Sequence, residues 1–188
     1  MADGKDDFPT KSVESLLDKA HRFYEKENFV LAGASFAAAL NLLDSERSDD
    51  NRKMAINIEI DIGHSLFGHG QFDAAMRHYD AALGRAMGVN RDSSVVAAEI
   101  HAHKASVFFE TGNYLRAARN YFKAYCIMKD DVLFDNHQLE CFDFLVQAKE
   151  SLIHVEITEK NEKKVEELTR SVICCQNELV TSLCAQPY

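Results

Sequence analysis

Apolar and small residues recur at steps of three and four along most of this chain, and that spacing places them on one stripe of an α-helix. The clearest example runs from Ala105 to Tyr125, where two such stripes flank a turn at residues 111–113 that contains Gly112. Glycine readily adopts the backbone angles that such a turn needs. The pattern therefore predicts two short amphipathic helices joined as a hairpin.

The same arrangement occurs three times, with identical offsets between its small and its large positions. The matching residues are Ala20, Phe23, Phe29, Ala32, Phe36 and Ala39 in the first copy, Gly63, Leu66, Phe72, Ala75, Tyr79 and Ala82 in the second, and Ala105, Phe108, Tyr114, Ala117, Tyr121 and Ala124 in the third. Three copies in register indicate an internal repeat, and stacking such repeats buries a continuous core.

The predicted organisation is one helical domain over residues 10–183, between a disordered leader at residues 1–9 and a tail at residues 184–188. The hairpins are expected at about residues 13–46, 56–88 and 98–130, and two longer helices at about residues 137–158 and 160–183. Polar connectors are expected at residues 44–52, 88–94 and 130–136. Thr10 or Ser12 is expected to cap the start of the first helix, and Gly88 the end of the fourth.

The repeat resembles the tetratricopeptide repeat (TPR) family over about residues 13–130. The match is best in the third copy, at Gly112, Tyr114, Ala117, Tyr121 and Ala124. The resemblance implies an all-α fold, a right-handed α-solenoid of three helical hairpins followed by a C-terminal pair of longer helices that are a degenerate repeat or a cap.

This chain departs from the family's pattern in three ways. Glu27 stands where the turn glycine is expected in the first copy, and Asp44, Met87 and Lys129 stand where a proline usually closes each unit. The copies are also 43 and 42 residues apart, whereas the usual period is about 34 residues. Units of this length are similar in period to those of kinesin light chains and of some polarity adaptors.

The last predicted helix carries an apolar stripe on an otherwise charged surface. Val165, Leu168, Val172, Cys175 and Leu179 follow one another at alternating steps of three and four, as in a heptad repeat. One interpretation is a capping helix that closes the open end of the solenoid. The other is a seam between two copies of the chain, although two heptads are short for an independent coiled coil. The sequence leaves both interpretations open.

Charge and composition restrict the classes of partner. The chain has 21 basic and 30 acidic residues and a net charge of −9, and it has no basic stripe with interleaved aromatics, so nucleic-acid binding is not expected. The longest apolar run, residues 29–43, is too short to span a bilayer, and the acidic N-terminus is unlike a signal peptide. Five cysteines without a paired spacing are typical of reduced cysteines, and they favour a cytoplasmic or nuclear protein.

Catalytic and metal-binding motifs are absent from the sequence. His101 and His103 are two residues apart, which places them about 200° apart around a helix, and no HExxH motif or Cys/His ligand pair occurs. Cys174 and Cys175 are vicinal, but one of them simply belongs to the apolar stripe. No glycine-rich phosphate loop occurs. We therefore predict a protein that is not an enzyme and has no cofactor or metal.

The resemblance implies which residues line a binding groove, because the first helix of each hairpin faces the concave side of such a solenoid. They are Glu14, Leu17, Asp18, His21 and Tyr24 in the first copy, Asn57, Ile60, Asp61, His64 and Phe67 in the second, and Glu99, Ala102, His103, Ser106 and Phe109 in the third. The set contains four carboxylates, no lysine or arginine, and one aromatic residue at the equivalent place in every copy.

This composition argues against an acidic chaperone C-terminus as the ligand. Repeats that clamp such a C-terminus hold its carboxylates with Lys, Arg and Asn, whereas the corresponding places here carry Leu17, His21, Asp61, Glu99 and His103. A basic and apolar segment is the expected partner, since the carboxylates supply charge and the aromatic row supplies anchors.

Alternatives remain for both the residues and the function. Tyr24, Phe67 and Phe109 are either groove anchors or rings packed between repeats, and the carboxylates either bind a ligand or form an ordinary solvated face. The predicted function is a non-catalytic protein-interaction module, a scaffold or adaptor that binds a peptide or helix of a partner. The alternative is a structural subunit of a multiprotein complex, or a homodimer, assembled through the convex face or the last helix.

Overall fold

The computed structural model describes residues 8–43, 49–86, 93–130 and 137–185, and within these ranges the chain forms eight α-helices and no β-strand. The helices are α1 (Phe8–Glu25), α2 (Phe29–Leu43), α3 (Asp49–Gly68), α4 (Phe72–Ala86), α5 (Ser93–Glu110), α6 (Tyr114–Lys129), α7 (Gln138–Ile153) and α8 (Glu162–Ala185). Three helix pairs, α1 with α2, α3 with α4 and α5 with α6, are each joined by a three-residue turn and pack against each other. The predicted all-α, helical-repeat fold class is confirmed.

The chain divides into two compact units, residues 1–91 and 92–188. Unit 1 contains α1 to α4, and unit 2 contains α5 to α8. The single domain that the sequence predicts stays a prediction.

The turn inside each hairpin is built in the same way in all three copies. Glu27, Gly70 and Gly112 occupy the equivalent place, and their φ angles are 57°, 76° and 73°. The N–H of the next residue donates to a carbonyl five residues earlier, as from Asn113 to Phe108 at 2.7 Å, which is the Schellman arrangement that ends many helices. Glu27 therefore holds a left-handed conformation that favours glycine.

Replacing Glu27 with glycine should stabilise unit 1 by about 0.5–1 kcal/mol, because it removes the strain of a Cβ in the left-handed region. Glu27 is exposed, so the substitution removes no buried contact. Urea denaturation of the two proteins measures the difference in free energy of unfolding. Glu27→Ala is the matched control, since alanine keeps the Cβ and should bring no such gain. An equal gain in both variants would contradict the prediction.

The core of unit 1 is formed by the small and large positions of the repeat. The buried residues of its largest cluster are Val13, Ala20, Ala32, Phe36, Ala39, Leu40, Leu43, Ala55, Ile58 and Ile62. In the second hairpin Gly63 lies against the buried ring of Tyr79, so closely that a Cβ at Gly63 would be 2.5 Å from a ring carbon. Small residues at these positions let neighbouring helices approach while the large side chains fill the space between them.

The core of unit 2 includes the apolar stripe of the last helix. Val165, Val172 and Leu179 are buried, and Leu168 and Cys175 are half-buried against the same cluster. The cluster also contains Tyr125, Leu145 and nine other buried residues from α5, α6 and α7. The stripe is therefore covered by its own unit, as the capping interpretation expects, and it is not an exposed seam.

Several helix ends differ from the predicted ones. The first helix begins at Phe8 rather than after Thr10 or Ser12, and Pro9 lies in its first turn, where a missing N–H costs little. The third helix begins at Asp49, so the end of the predicted connector at residues 44–52 is helical. The last helix continues to Ala185, into the predicted tail.

The seventh helix is shorter than predicted because its continuation is held by side-chain hydrogen bonds. It ends at Ile153 instead of residue 158. The side chain of Asn161 accepts from the N–H of Thr158 at 2.7 Å and donates to the carbonyl of Glu156 at 2.9 Å. Such local bonds compete with helical hydrogen bonds, and they shape the connection to α8.

Some sequence predictions lie outside the described residues. They are the leader at residues 1–7, the connectors at residues 44–48, 88–92 and 131–136 with the cap at Gly88, and the end of the tail at residues 186–188.

Candidate functional site

The first candidate site is the leading-helix face of unit 1, which we define as the predicted groove residues of α1 and α3. These are Glu14, Leu17, Asp18, His21, Tyr24, Asn57, Ile60, Asp61, His64 and Phe67. The structure brings the two helices together at this face, since His21 Nε2 lies 3.7 Å from Asp61 Oδ2. Glu14, Asp18 and Asn57, which belong to the same face, are exposed. The face is therefore acidic and accessible within unit 1.

Asp61 is the least solvated carboxylate of this face. Only 32% of its side chain is exposed. Burial raises the pKa of Asp61 above its ordinary value, although the neighbouring imidazole of His21 lowers it. Burial thus makes the ionised form more costly than in water. A cation placed beside Asp61 would offset that cost.

His64 is neutral at ordinary pH, because burial lowers the pKa of its imidazole. Its ring meets the ring of Tyr79 edge to face, with centroids 5.9 Å apart. Burial is also the main cause that raises the pKa of Tyr79, followed by the nearby Tyr24 and Asp61. Burial therefore keeps the rings of His64 and Tyr79 neutral, and His64 adds no positive charge to the face.

The prediction that Ile60 lines the groove is wrong, because this residue is buried, with 8% of its surface exposed. Leu17, at the equivalent place in the first copy, is half-buried and packs against the core of unit 1. This position lies at the border between the core stripe and the face, and a long apolar side chain there turns inward because burial removes its surface from water.

The leading-helix face of unit 2 consists of the predicted residues of α5, which are Glu99, Ala102, His103, Ser106 and Phe109. Glu99 is exposed. Its pKa is raised above the ordinary value, mainly by partial desolvation and also by the carboxylate of Glu140, while the nearby His137 offsets part of the rise. The other four residues are half-buried. The Ser106 hydroxyl donates to the carbonyl of Ala102 at 3.2 Å and is 2.9 Å from the Tyr121 hydroxyl. Ser106 is thus engaged inside the hairpin.

The three predicted aromatic anchors share one packing role. Each ring meets the first residue of the following helix edge to face, in the pairs Tyr24 with Phe29, Phe67 with Phe72, and Phe109 with Tyr114, with centroid distances of 5.4, 5.6 and 5.3 Å. Such pairs contribute about 0.5–1.5 kcal/mol beyond area burial. The rings therefore close the turn of their own hairpin, and the exposed remainder of each ring is what a partner could touch.

A buried polar cluster in unit 1 was not predicted from the sequence. Glu59 is 4% exposed, and its carboxylate lies 2.7 Å from His78 Nδ1 and accepts a hydrogen bond from Arg85 Nε at 3.3 Å. In the third copy His101 Nδ1 lies 3.2 Å from Asn120 Oδ1. Both pairs are 19 residues apart. A search of the aligned repeats for two polar residues 19 positions apart is the sequence signal that identifies both pairs.

Each unit has a groove beside the start of the second helix of a hairpin, which we call the inter-hairpin groove; its other side is formed by α3 and α4 in unit 1 and by the segment after α7 in unit 2. In unit 1 it has a volume of about 220 Å³ and is lined by Phe29, Val30, Gly33, Ala34, Ala37, Ile62, Ser65, Leu66, His69, Gln71 and His78. In unit 2 it has about 310 Å³ and is lined by Gly112, Asn113, Tyr114, Leu115, Arg116, Arg119, Val155 and Glu156. The groove of unit 1 is thus mainly apolar, whereas that of unit 2 carries two arginines.

The thiols and the possible metal ligands give no further candidate. Burial raises the pKa of Cys141 to about 11 and raises that of Cys126 as well, so these two thiols are poor nucleophiles at neutral pH. Among the residues that the structure describes, no group of three or more His, Cys, Asp or Glu side chains could hold a metal ion. None of the described helices is long and apolar enough to cross a membrane.

Comparison with known proteins gives a structural relative but no family. No protein-family model matches the chain, and no curated protein matches it. Among solved structures, the crystal structure of BtubC (BKLC) from P. vanneervenii is similar, with a TM-score of 0.52 and 12% sequence identity over 97% of this chain and 95% of that one. A likeness at this identity shows the helical fold and carries no residue roles to this chain.

Proposed function

We propose that the chain is a non-catalytic protein-interaction module of the TPR type, a scaffold or adaptor that binds a basic and apolar segment of a partner protein on its leading-helix faces. One observation carries the proposal. The leading-helix face of unit 1 holds the half-buried carboxylate of Asp61 beside the exposed Glu14 and Asp18, and none of its ten residues is a lysine or arginine.

The charge of this face selects for a cation. A lysine or arginine of the partner that reaches Asp61 makes a charge-assisted hydrogen bond, which is stronger than a neutral one. Glu14 and Asp18 are solvated, so they add attraction over a longer range that salt screens. An acidic peptide or a nucleic-acid backbone would meet like charge on this face. We expect an affinity of about micromolar order, as for a modest interface.

Unit 2 offers a similar combination of acid and apolar groups. Partial desolvation raises the pKa of Glu99, and the carboxylate of Glu140 is close enough to add to that rise. Leu139, next to Glu140, is 73% exposed. A segment with alternating basic and apolar side chains would match both kinds of group. The five cysteines are unpaired, which supports the proposal that the protein works in the cytoplasm or the nucleus.

Asp61→Asn should weaken binding of a fluorescein-labelled peptide of alternating lysine and leucine roughly tenfold, because a hydrogen bond between charged groups is lost at a desolvated place. Fluorescence anisotropy measures the affinity, and a glutamate–leucine peptide should bind neither protein. The variant should not melt at a lower temperature than the wild type. A carboxyl group whose pKa is raised in the folded state costs stability when it ionises, and asparagine carries no charge.

The matched control is Asp73→Asn, which makes the same change in net charge at an exposed position in the first turn of α4, a helix that contributes no residue to the leading-helix face. It should bind the lysine–leucine peptide within about twofold of the wild type at moderate salt, where distant charges are screened. If both variants weaken binding equally, the effect is one of net charge and the site is wrong. Binding of both peptides alike would reject the proposed specificity.

A further inference from the structure

The helix α7 carries a row of apolar side chains on its outer side. Leu139 and Ile153 are 73% and 74% exposed, the highest values of any large apolar side chain that the structure describes. Phe142 and Val146 lie between them along the helix and are half-buried. At 100° per residue, these four side chains lie within about 60° of one another around the helix. We call them the α7 row.

The α7 row is separate from the side of the helix that packs into unit 2. Cys141, Leu145 and Ala148 are fully buried in the core cluster, and their centre lies more than about 100° around the helix from the centre of the row. The row is about 21 Å long at 1.5 Å per residue. It is therefore a second apolar stripe on a helix whose first stripe already builds the core.

One edge of the α7 row is acidic. Asp143 and Glu150 are exposed along this edge, and Glu140 continues it. Neither Asp143 nor Glu150 has an ion-pair partner among the residues that the structure describes, whereas Glu140 Oε2 lies 3.0 Å from His137 Nδ1. The other edge carries the exposed Lys149. A cation on an occupant of the row would thus find carboxylates on one side only.

An occupant of the α7 row must satisfy its own backbone hydrogen bonds. The row offers only hydrocarbon side chains, and the backbone behind it is already bonded within an α-helix. An extended segment pressed onto this surface would leave N–H and C=O groups without partners, which is costly. An α-helix bonds these groups internally and presents apolar side chains at steps of three and four, which match the spacing of the row.

A second copy of this chain fits the α7 row less well than a basic helix does. Each copy would bring Glu140, Asp143 and Glu150 to the interface but only Lys149 to balance them. Like charges brought together at an interface are unfavourable. Charge complementarity therefore favours a partner whose own edge is basic.

We propose that the α7 row binds an amphipathic α-helix of a partner protein. The apolar face of that helix covers Leu139, Val146 and Ile153, and lysine or arginine side chains along one of its edges meet Asp143 and Glu150. This inference rests on the function proposed above in one respect, since both take the partner to be basic and apolar. It adds a surface that shares no residue with the leading-helix faces, and it specifies the conformation of the bound segment.

The test uses a fluorescein-labelled lysine–leucine peptide of about 18 residues, or about five helical turns, with leucines at steps of three and four. Fluorescence anisotropy with the full chain should give an affinity of about micromolar order. The same peptide with a central proline should bind at least about tenfold more weakly, because proline breaks the helix. A glutamate–leucine peptide of the same pattern should not bind.

Two double variants locate the site. Leu139→Gln with Ile153→Gln should weaken binding of the helical peptide at least about tenfold, since two anchors lose their apolar contact. The matched control is Ile173→Gln with Val180→Gln, which changes two exposed apolar side chains of α8 and should leave the affinity within about twofold of the wild type. All four positions are exposed, and circular dichroism verifies that both variants keep their helices.

The proposal is overturned if the helical peptide does not bind, if the proline or glutamate version binds as well, or if binding survives Leu139→Gln with Ile153→Gln. It is also overturned if sedimentation shows a wild-type dimer that this variant dissociates, because the row would then hold a second copy. The function proposed above fails separately, through Asp61→Asn and the alternating peptide. Asp61→Asn should leave binding of the helical peptide unchanged.

Discussion

Gly63→Val should destabilise unit 1 by about 3 kcal/mol, at the upper end of what overpacking a core costs. A Cβ at Gly63 would lie 2.5, 2.8 and 2.9 Å from three carbons of the Tyr79 ring. That ring is 1% exposed, so it has no free space into which to move. Urea denaturation followed by far-ultraviolet circular dichroism measures the change in the free energy of unfolding.

Gly84→Val is the matched control for this substitution. Gly84 lies in α4, and a Cβ there would meet nothing within 4 Å, so the free energy of unfolding should change by no more than about 0.5 kcal/mol. The double variant Gly63→Val with Tyr79→Leu should be more stable than the sum of the two single changes predicts, because the smaller side chain relieves the clash. If Gly63→Val unfolds with the same free energy as the wild type, α3 and α4 can move apart at little cost and the prediction is wrong.

The repeat explains why this contact is unique to the second copy. The equivalent small residues are Ala20 and Ala105, and both are fully buried. Only the second copy combines a glycine with a ring in such close approach. The sequence shows that the residue at this position must be small. How closely the two helices approach depends on side chains from both of them, so the spacing of residues within one helix does not predict it.

The helices could be predicted almost to the residue where local signals mark them. The third hairpin is expected at about residues 98–130 with its turn at residues 111–113, and its second helix is found at Tyr114–Lys129, because a glycine turn precedes it and the apolar stripe fills its length. The seventh helix was predicted five residues too long, since its end depends on the side-chain bonds of Asn161. A hydrogen bond of that kind is one of several that an asparagine can make, so the sequence does not select it.

The site residues were harder to predict because their burial depends on neighbouring helices. The sequence assigns both Asp61 and His21 to the leading-helix face without pairing them, and the structure places Asp61 Oδ2 3.7 Å from His21 Nε2. Ile60, one residue earlier, was assigned to the same face and is buried. A helical period of 3.6 residues defines the centre of a stripe well and its borders poorly, so a residue at the border can face either way.

The pairing of Glu59 with His78 was missed for a related reason. A buried carboxylate on a helix is unfavourable unless partners from elsewhere in the fold neutralise it, and those partners lie 19 and 26 residues further along the chain. The first copy has Leu16 and Ser35 at the equivalent places, so the polar pair is not part of the repeat's common pattern. The third copy has the uncharged pair His101 and Asn120 at the same places, so it is the buried carboxylate of Glu59 that distinguishes the second copy.

Phe36→Ala should lower the free energy of unfolding by about 3–5 kcal/mol, the usual cost of removing a buried aromatic ring and leaving a cavity. Phe36 is 1% exposed and meets the ring of His21 edge to face at 5.2 Å. Urea denaturation measures the loss, and the companion variant is Phe67→Ala. Phe67 is half-buried and packs on Phe72, so its loss should cost only about 1.5 kcal/mol.

The comparison of these two variants decides what the aromatic row does. A loss in Phe67→Ala as large as that in Phe36→Ala would make Phe67 a core residue and remove it from the leading-helix face. A small loss of stability combined with weaker binding of the lysine–leucine peptide would show that the exposed part of the ring anchors the partner while its edge closes the turn. A small loss of stability with unchanged binding would leave Asp61 and its neighbouring carboxylates as the whole recognition surface of unit 1, with charge and not shape selecting the partner.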